Sequence, residues 1–280
     1  MKQAFRNAGR RGLSTLQRRL RSPAAMKRNP SWLRGEFKTW NEAVAASRGY
    51  DSDEILNAVR HSLGQVQCGA AAYERDSVLF DHVEYSWPLL TALMWEAARS
   101  GGRLDVLDIG GSLGTTYFQN RGFLADLVHV RWNIVEQPHY VREGRAAFQS
   151  EQLRFYESVE SCLAETTPTV AILSGVLPYV ERPYDLLQSC LSGAFRTVVI
   201  DRTFLWNGPG DRLCVQDVPA DIFSASYPIW IFSRARFVDA LSEHDIVAEF
   251  PGFADQTGYV DCQPRGFVVR YGRRLDRDRV

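Results

Sequence analysis

The sequence feature that most constrains the fold is an apolar run that leads directly into a glycine-rich turn, Leu104-Asp-Val-Leu-Asp-Ile-Gly-Gly-Ser-Leu-Gly114. The run predicts a buried β-strand, and the glycines predict a turn with backbone angles that a Cβ would forbid. A helix that begins after such a turn directs its free N–H groups toward a ligand. Asp108, ahead of the glycines, adds a negative charge that suits a ligand with cationic groups better than a pyrophosphate. The segment therefore predicts a cofactor cradle built from Gly110, Gly111 and Gly114, with Asp108 beside it.

After Gly101-Gly102 the sequence alternates between short β-branched runs and amphipathic segments, which is typical of a parallel sheet with helices on both faces. The last two runs are joined by a connection too short for a helix, which predicts an antiparallel final hairpin. We therefore expect an α/β, Rossmann-like fold with a mostly parallel sheet of seven strands. The predicted strands cover residues 104–109, 128–135, 153–156, 169–173, 197–200, 246–250 and 266–271.

The rest of the chain divides by composition and periodicity. Residues 1–28 hold nine Lys or Arg and no acidic residue, which predicts for residues 1–30 a basic tail or a short helix that contacts an anionic membrane surface. Residues 31–100 show helical periodicity and predict an N-terminal helical extension or lid. Residues 101–272 form the predicted cofactor-binding domain, and residues 273–280 form a charged tail.

Composition narrows the class of partner. The chain has 33 Lys plus Arg and 33 Asp plus Glu, so it offers no net field for nucleic acid, and we expect no nucleic-acid partner. Its five cysteines form no C-x-x-C pair, which favours buried thiols in a reducing compartment. No apolar run approaches the length of a membrane span or of a signal peptide. These features predict a cytoplasmic protein.

Polar residues follow the second and fourth predicted strands, where ligands bind in such sheets. Glu136 ends the second strand and is followed by Gln137; a carboxylate there can accept both hydroxyl hydrogens of a ribose. Ser174 and Gly175 end the fourth strand, where Gly175 permits close approach of a ligand. Because Ser174 is not an acid, we expect no metal ion. The turn lacks the Gly-Lys-Ser or Gly-Lys-Thr of a phosphate-binding loop and matches the dinucleotide fingerprint only loosely.

The remaining candidates lie outside the cradle and concern the acceptor. Asp201 ends the fifth strand and is the first choice for a general base, with Glu74 the second. The long connection after Asp201 predicts a functional loop. Its aromatic side chains suit either a sugar ring or packing within the loop. The candidate substrate contacts are Tyr73, Arg75, Arg202, Arg212, Tyr227 and Trp230.

Six segments carry a resemblance to a known family. They are Tyr73-Glu-Arg-Asp76, Asp108-Ile-Gly-Gly-Ser-Leu-Gly114, Val135-Glu-Gln-Pro138, Leu173-Ser-Gly-Val-Leu-Pro-Tyr179, Asp201-Arg-Thr203 and Ser226-Tyr-Pro-Ile-Trp230. Together they resemble a family of bacterial methyltransferases whose genes are commonly found in surface polysaccharide (O-antigen or capsule) clusters. The resemblance covers roughly residues 35–272. The chain departs from the family pattern at Pro178, where a polar residue is usual.

The resemblance implies a class I methyltransferase fold with S-adenosylmethionine as cofactor. It leaves the acceptor open, and a saccharide or a lipid-linked glycan methylated on oxygen is the expectation. Two other functions stay open. One is a non-catalytic binding or scaffold protein on the same fold. The other is an NAD-dependent sugar-modifying enzyme, which Asp108 ahead of the glycines disfavours.

Overall fold

The computed structural model describes residues 33–49, 53–218, 225–253 and 262–272. Its elements in chain order are β1 (Leu33–Phe37), α1 (Trp40–Ala45), α2 (Asp53–Gln67), β2 (Tyr73–Arg75), β3 (Val78–Phe80), α3 (Trp87–Arg99), β4 (Arg103–Ile109), α4 (Thr115–Leu124), β5 (His129–Val135), α5 (Pro138–Ala147), β6 (Leu153–Tyr156), α6 (Val159–Leu163), β7 (Val170–Ser174), a 3-10 turn (Leu177–Tyr179), α7 (Pro183–Leu191), β8 (Thr197–Trp206), β9 (Arg212–Asp217), β10 (Ser226–Ser233), α8 (Arg234–Ala240), β11 (Asp245–Pro251) and β12 (Cys262–Arg270). The predicted tails, residues 1–30 and 273–280, lie outside the described residues.

The central sheet has the strand order β6-β5-β4-β7-β8-β12-β11. The first five strands run parallel, whereas β12 is antiparallel to both of its neighbours. All seven predicted strands are present, and the antiparallel final hairpin is confirmed. The α/β, Rossmann-like fold with a mostly parallel sheet, as predicted from the sequence, is therefore confirmed. Because β4, β5, β7 and β8 are parallel, their carboxyl ends meet at one edge of the sheet.

The core lies on both faces of this sheet, as the alternation of strand residues requires. In β4, Leu104 and Val106 pack on one face, and Leu107 and Ile109 pack on the other. The first face is covered by α2, α3, α4 and α5, which contribute Ile55, Leu93, Phe118 and Val141. The second is covered by α6, α7 and α8, which contribute Cys162, Leu187 and Phe237. Two buried faces give the sheet a three-layer architecture.

The connection predicted as a functional loop after Asp201 is mostly sheet in its described residues. Strand β8 continues past the predicted end at Ile200 to Trp206, where it pairs with β10 and β12. Strands β9 and β10 pair antiparallel, and β1 adds to the outer side of β9. Leu33 pairs with Gln216, so β1 depends on a partner that is remote in sequence. Local periodicity carries no information on such a pairing.

Within residues 31–100, where the sequence predicts a helical extension or lid, the structure has the helices α1, α2 and α3 and two segments that form strands. Residues 33–37 form β1, because pairing with β9 outweighs their helical periodicity. Residues 73–80 form a hairpin of β2 and β3, which turns at Asp76 (φ 50°) and Ser77 (φ 67°). Two successive left-handed residues are typical of the tightest hairpin turns. We call residues 73–80 the hairpin below.

Two sequence expectations concern membranes and thiols. None of the helices in the described ranges combines the length and apolarity needed to cross a bilayer. Four cysteines are buried, and Cys68 is exposed, so the expectation of buried thiols holds for all but Cys68.

Candidate active site

The glycine turn packs too tightly for side chains. Gly110 and Gly114 have φ of +71° and +110°, which disfavours any residue with a Cβ. A Cβ on Gly110 would lie 2.8 Å from Cγ2 of Val176, and one on Gly111 would lie 2.7 Å from Cγ of Asp108. The turn is thus wedged between the end of β4 and the segment that follows β7. Its glycines are what allow this close packing.

The side chain of Asp108 packs against the glycine turn. Its side chain is only 1% exposed, and its Oδ2 accepts a hydrogen bond of 3.0 Å from Nε1 of Trp132. Burial raises the pKa of Asp108 to about 7, and the charge of Glu136 adds to this shift. Burial thus disfavours the negative charge that the sequence predicts at Asp108, and its role toward a ligand stays a prediction. The carboxyl packs against Gly111 and accepts a hydrogen bond from the indole of Trp132.

Glu136 joins the end of β5 to the glycine turn. Its Oε1 accepts a hydrogen bond of 3.2 Å from the backbone N–H of Ser112, and its Oε2 accepts one of 2.8 Å from the N–H of Gln137. Ser112 has a φ of +55°, so its N–H is presented by a strained backbone. Burial raises the pKa of Glu136 against the opposing effect of these two bonds. Gln137 itself is exposed and precedes α5.

The end of β7 lies beside the same turn. Gly175 has a φ of +69°, and its N–H donates a hydrogen bond of 3.0 Å to the carbonyl of Asp201 on β8. A Cβ on Gly175 would lie 3.5 Å from Nε of Arg202, so the guanidinium covers this glycine. Ser174 is half-buried just before it. Within the ranges that the structure describes, no cluster of three or more His, Cys, Asp or Glu is suited to a metal ion.

Arg202 lies at the carboxyl edge of the sheet and has an unusual backbone conformation. Its φ of +55° is rare for a residue with a long side chain, and its N–H donates to Oδ1 of Asp201 at 2.7 Å. Its Nη2 bonds Oδ2 of Asp76 on the hairpin at 2.7 Å. Although burial acts in the opposite direction, Arg202 holds the pKa of Asp76 below its usual range. Burial raises the pKa of both Tyr73 and Tyr179, which lie near the same guanidinium.

Glu74 links the hairpin to the helix that follows the glycine turn. The Oγ1 of Thr115 donates a hydrogen bond to its Oε1, and the N–H of Ser77 donates one of 3.2 Å to its Oε2. The side chain is 2% exposed. Burial raises the pKa of Glu74 to about 7, although both hydrogen bonds lower it. This carboxyl therefore changes its charge near neutral pH.

Asp201 is equally buried but differently bonded. Its Oδ1 accepts the N–H groups of Arg202 and Phe253, and its Oδ2 accepts the hydroxyl of Ser86 at 2.9 Å. Burial raises its pKa, and these three donors oppose the shift. Three donors from three segments make Asp201 a structural link at the edge of the sheet.

Arg75, the third hairpin candidate, is buried and paired with Glu84 at 3.0 Å. Its guanidinium lies between the rings of Phe80 and Phe253, 5.3 and 5.0 Å from their centroids. Aromatic rings on both sides hold a guanidinium by cation–π attraction. Arg75 thus ties the hairpin to the end of β11.

The other three substrate candidates lie on the outer strands. Tyr227 meets the ring of Tyr179 edge-on at 5.3 Å, which connects it to the site. Trp230 stacks on Trp40 at 6.3 Å and packs, partly buried, against the apolar cluster of Ala43, Leu213 and Val215. Arg212 pairs with Glu36 and covers the ring of Trp206. These contacts hold Trp230 and Arg212 in the β1-β9-β10 part of the sheet.

Sequence reasoning missed several members of this cluster. Thr115 and Phe253 contact the predicted residues and lie outside the sequence motifs, whereas Asp76 lies within the Tyr73–Asp76 segment but was not a candidate. For Thr115 one signal was present, since it directly follows the last glycine of the turn and begins α4. Phe253 lies far from Asp201 in sequence, and only the tertiary structure brings the two together.

Comparisons with known proteins give structural likeness without sequence likeness. No protein-family model matches the chain, and no curated protein does. The N-terminal domain of EvdMO1, solved in the presence of SAH and D-fucose, superposes with a TM-score of 0.45 at 13% identity, covering 79% of this chain and all of that one. An S-adenosylmethionine-dependent methyltransferase from Clostridium acetobutylicum gives 0.43 at 8% identity, with 66% and 91% covered. The mitomycin 7-O-methyltransferase MmcR gives 0.41 at 15% identity, with 65% and 54% covered.

Proposed function

We propose that the chain binds S-adenosylmethionine at the carboxyl edge of the sheet and transfers its methyl group to an acceptor. The observation that carries the proposal is the link between Glu136 and the glycine turn through the N–H of Ser112. A carboxylate at the end of β5 can accept hydrogen bonds from the two hydroxyls of a ribose. Each Glu136 oxygen accepts one backbone N–H here and retains a further lone pair for such a hydroxyl.

The residues around Glu136 at this edge of the sheet suit the same cofactor. S-adenosylmethionine would supply a methyl group bound to a positively charged sulfur. The acceptor bonds the methyl carbon, and the sulfur is the leaving group. In the proposed site Gly110, Gly111 and Gly114 give the close main-chain approach, and Ser174 and Gly175 form the opposite wall. Asp108 acts indirectly by bracing the turn. The chain's residues chiefly position the two reactants and exclude water.

The acceptor hydroxyl must lose a proton, and Glu74 is the better of the two candidate bases. Its carboxyl changes charge near neutral pH, as an efficient general base does. It lies beside the first residue of α4, directly after the turn. Asp201, the first choice from the sequence, receives three donors and holds segments together. We therefore give Asp201 a positioning role.

For the acceptor we propose a saccharide or a lipid-linked glycan that carries an anionic group such as a phosphate or uronate. Arg202 is 28% exposed beside Gly175 and suits the anionic group. Tyr179 lies near Arg202, and its ring meets that of Tyr227 at 5.3 Å; both side chains are half-buried and suit a sugar ring. The basic residues 1–28 then favour peripheral contact with an anionic membrane, where such acceptors reside.

Isothermal titration calorimetry tests cofactor binding. We expect S-adenosylmethionine to bind the wild type, and Glu136→Ala to weaken this binding about 10- to 100-fold, as the loss of two hydrogen bonds to a ribose would. Glu151→Ala, an exposed acid before β6, is the matched control and should bind as the wild type does. An absence of binding to the wild type, or displacement by NAD, would refute the proposal.

Transfer itself is tested with S-adenosylmethionine labelled in the methyl group and an extract of lipid-linked glycans. We expect the label in the glycan fraction and its loss with Glu74→Gln. Cofactor binding without transfer to any glycan would leave the cofactor site intact and refute the acceptor class. It would favour the non-catalytic alternative.

A further inference from the structure

We infer that Thr115 is a positioning residue, which holds the carboxylate of Glu74 in place to take the proton of the acceptor hydroxyl. The inference rests on the proposed function and adds to it a residue that the sequence motifs leave out. Thr115 follows Gly114 directly and begins α4, so its hydroxyl is fixed to the glycine turn.

The geometry fixes the Glu74 carboxylate from two elements. On one side Thr115 of α4 donates to Oε1, and on the other the N–H of Ser77, in the turn of the hairpin, donates to Oε2. Ser77 is itself held to α2, because its carbonyl accepts the hydroxyl of Ser62 at 2.8 Å. The hairpin therefore presents Glu74 to the start of α4 in one orientation, and Thr115 is the contact on the cofactor side.

The charges around Glu74 act in opposite directions. Asp76 on the same hairpin raises the pKa of Glu74, whereas Arg202 from β8 lowers it. The N-terminus of α4 adds a partial positive charge that favours the ionised carboxylate. Burial is the largest effect and favours the neutral acid, which the hydroxyl of Thr115 opposes most strongly among the hydrogen bonds. Loss of that hydroxyl should therefore shift Glu74 toward its protonated form.

The acceptor oxygen forms its bond to the methyl carbon as the carbon–sulfur bond breaks, the bonding pair stays on sulfur, and the hydroxyl proton passes to Glu74. Only the ionised carboxylate can accept this proton. A residue that keeps Glu74 ionised therefore raises the rate of methyl transfer on the acidic side of its pH profile.

The test measures the ionisation of Glu74 in the full chain without an acceptor. The protein is labelled with 13C at glutamate Cδ, and the Glu74 resonance is assigned by its loss in Glu74→Gln. We expect the titration midpoint to rise by about one pH unit in Thr115→Val, since one hydrogen bond to the charged form is lost. Thr115→Ser should restore it. Thr116→Val, the next threonine along α4, is the matched control and should leave it unchanged.

An unchanged midpoint in both Thr115→Val and a second hydroxyl-free variant, Thr115→Ala, would overturn the inference. An equal shift in Thr116→Val would also overturn it, because the effect would then come from the helix as a whole. Calorimetry with S-adenosylmethionine on the same samples separates this result from the proposed function. A shifted midpoint in a protein that binds no cofactor would refute the proposed function and leave the hydrogen-bond assignment standing.

Discussion

The carboxylate of Asp201 accepts a hydrogen bond from the backbone N–H of Phe253, 2.8 Å away and 52 residues along the chain. The same carboxylate accepts the hydroxyl of Ser86, the residue immediately before α3. One buried side chain on β8 thereby joins the segment before α3 and the end of β11. Any change at Asp201 must therefore be assessed first for its effect on the fold.

Asp201→Ala leaves three donors without their acceptor, so we expect the free energy of unfolding to fall by about 2–4 kcal/mol in urea denaturation. Asp201→Asn keeps one carbonyl oxygen for the two N–H groups, and Ser86 can rotate to accept from the amide. The Asn variant should lose about 1 kcal/mol and retain most of its methyl transfer. Folded but inactive Asp201→Asn would return the role of base to Asp201.

Asp108 makes stability depend on pH in a specific direction. Its pKa is about 7 in the folded protein against an ordinary value of 3.8, so the folded state binds more protons between these values. The free energy of unfolding contributed by Asp108 therefore falls as pH rises from about 4 to about 7. Asp108→Asn does not ionise and still accepts from Trp132, so its stability relative to wild type should increase over this range.

The measurement is urea unfolding of both proteins at pH 5 and pH 8. We expect the difference between Asp108→Asn and wild type to change by an amount on the order of 1–3 kcal/mol in favour of the variant at pH 8. A difference independent of pH would show that Asp108 is ionised in the folded state.

Two glycines give opposite predictions for the same substitution. Gly111→Ala places a Cβ 2.7 Å from the Asp108 carboxyl, so the turn must shift, and we expect lost stability and at least tenfold weaker cofactor binding. Gly122→Ala places its Cβ in open space within α4 and should stabilise the protein by about 0.5–1 kcal/mol. Thermal unfolding and calorimetry check both. Equal behaviour of the two variants would contradict the tight turn.

Cys68 should be the one cysteine that reacts quickly in the native protein, because the other four thiols are buried. With Ellman's reagent we expect one thiol per chain without denaturant and five in guanidinium chloride. Cys68→Ser should reduce the native value to none. Rapid reaction of two or more thiols in native protein would show that the core opens readily.

The sequence predicted the central sheet well because its signals are local. Each of these signals is contained in a few consecutive residues. They are the seven buried runs, the glycine turn and the connection before the last strand. The strand β1 was not predictable, because its partner β9 lies far along the chain, and the sequence did not predict the strands of the hairpin although they pair with each other. Within the site, the positions of Glu136 and Gly175 at strand ends were predictable, whereas the burial of Asp108 and Asp201 was not.

By itself the sequence determined the order of the strands along the chain, the glycines that open the cradle and the acids at the strand ends. Only the tertiary structure decided how deeply each acid is buried and which donors from remote segments bond it. Thr115 donates to Glu74, and the N–H of Phe253 donates to Asp201. Desolvation and hydrogen bonding set the charge of a carboxyl, and neither is written in local sequence.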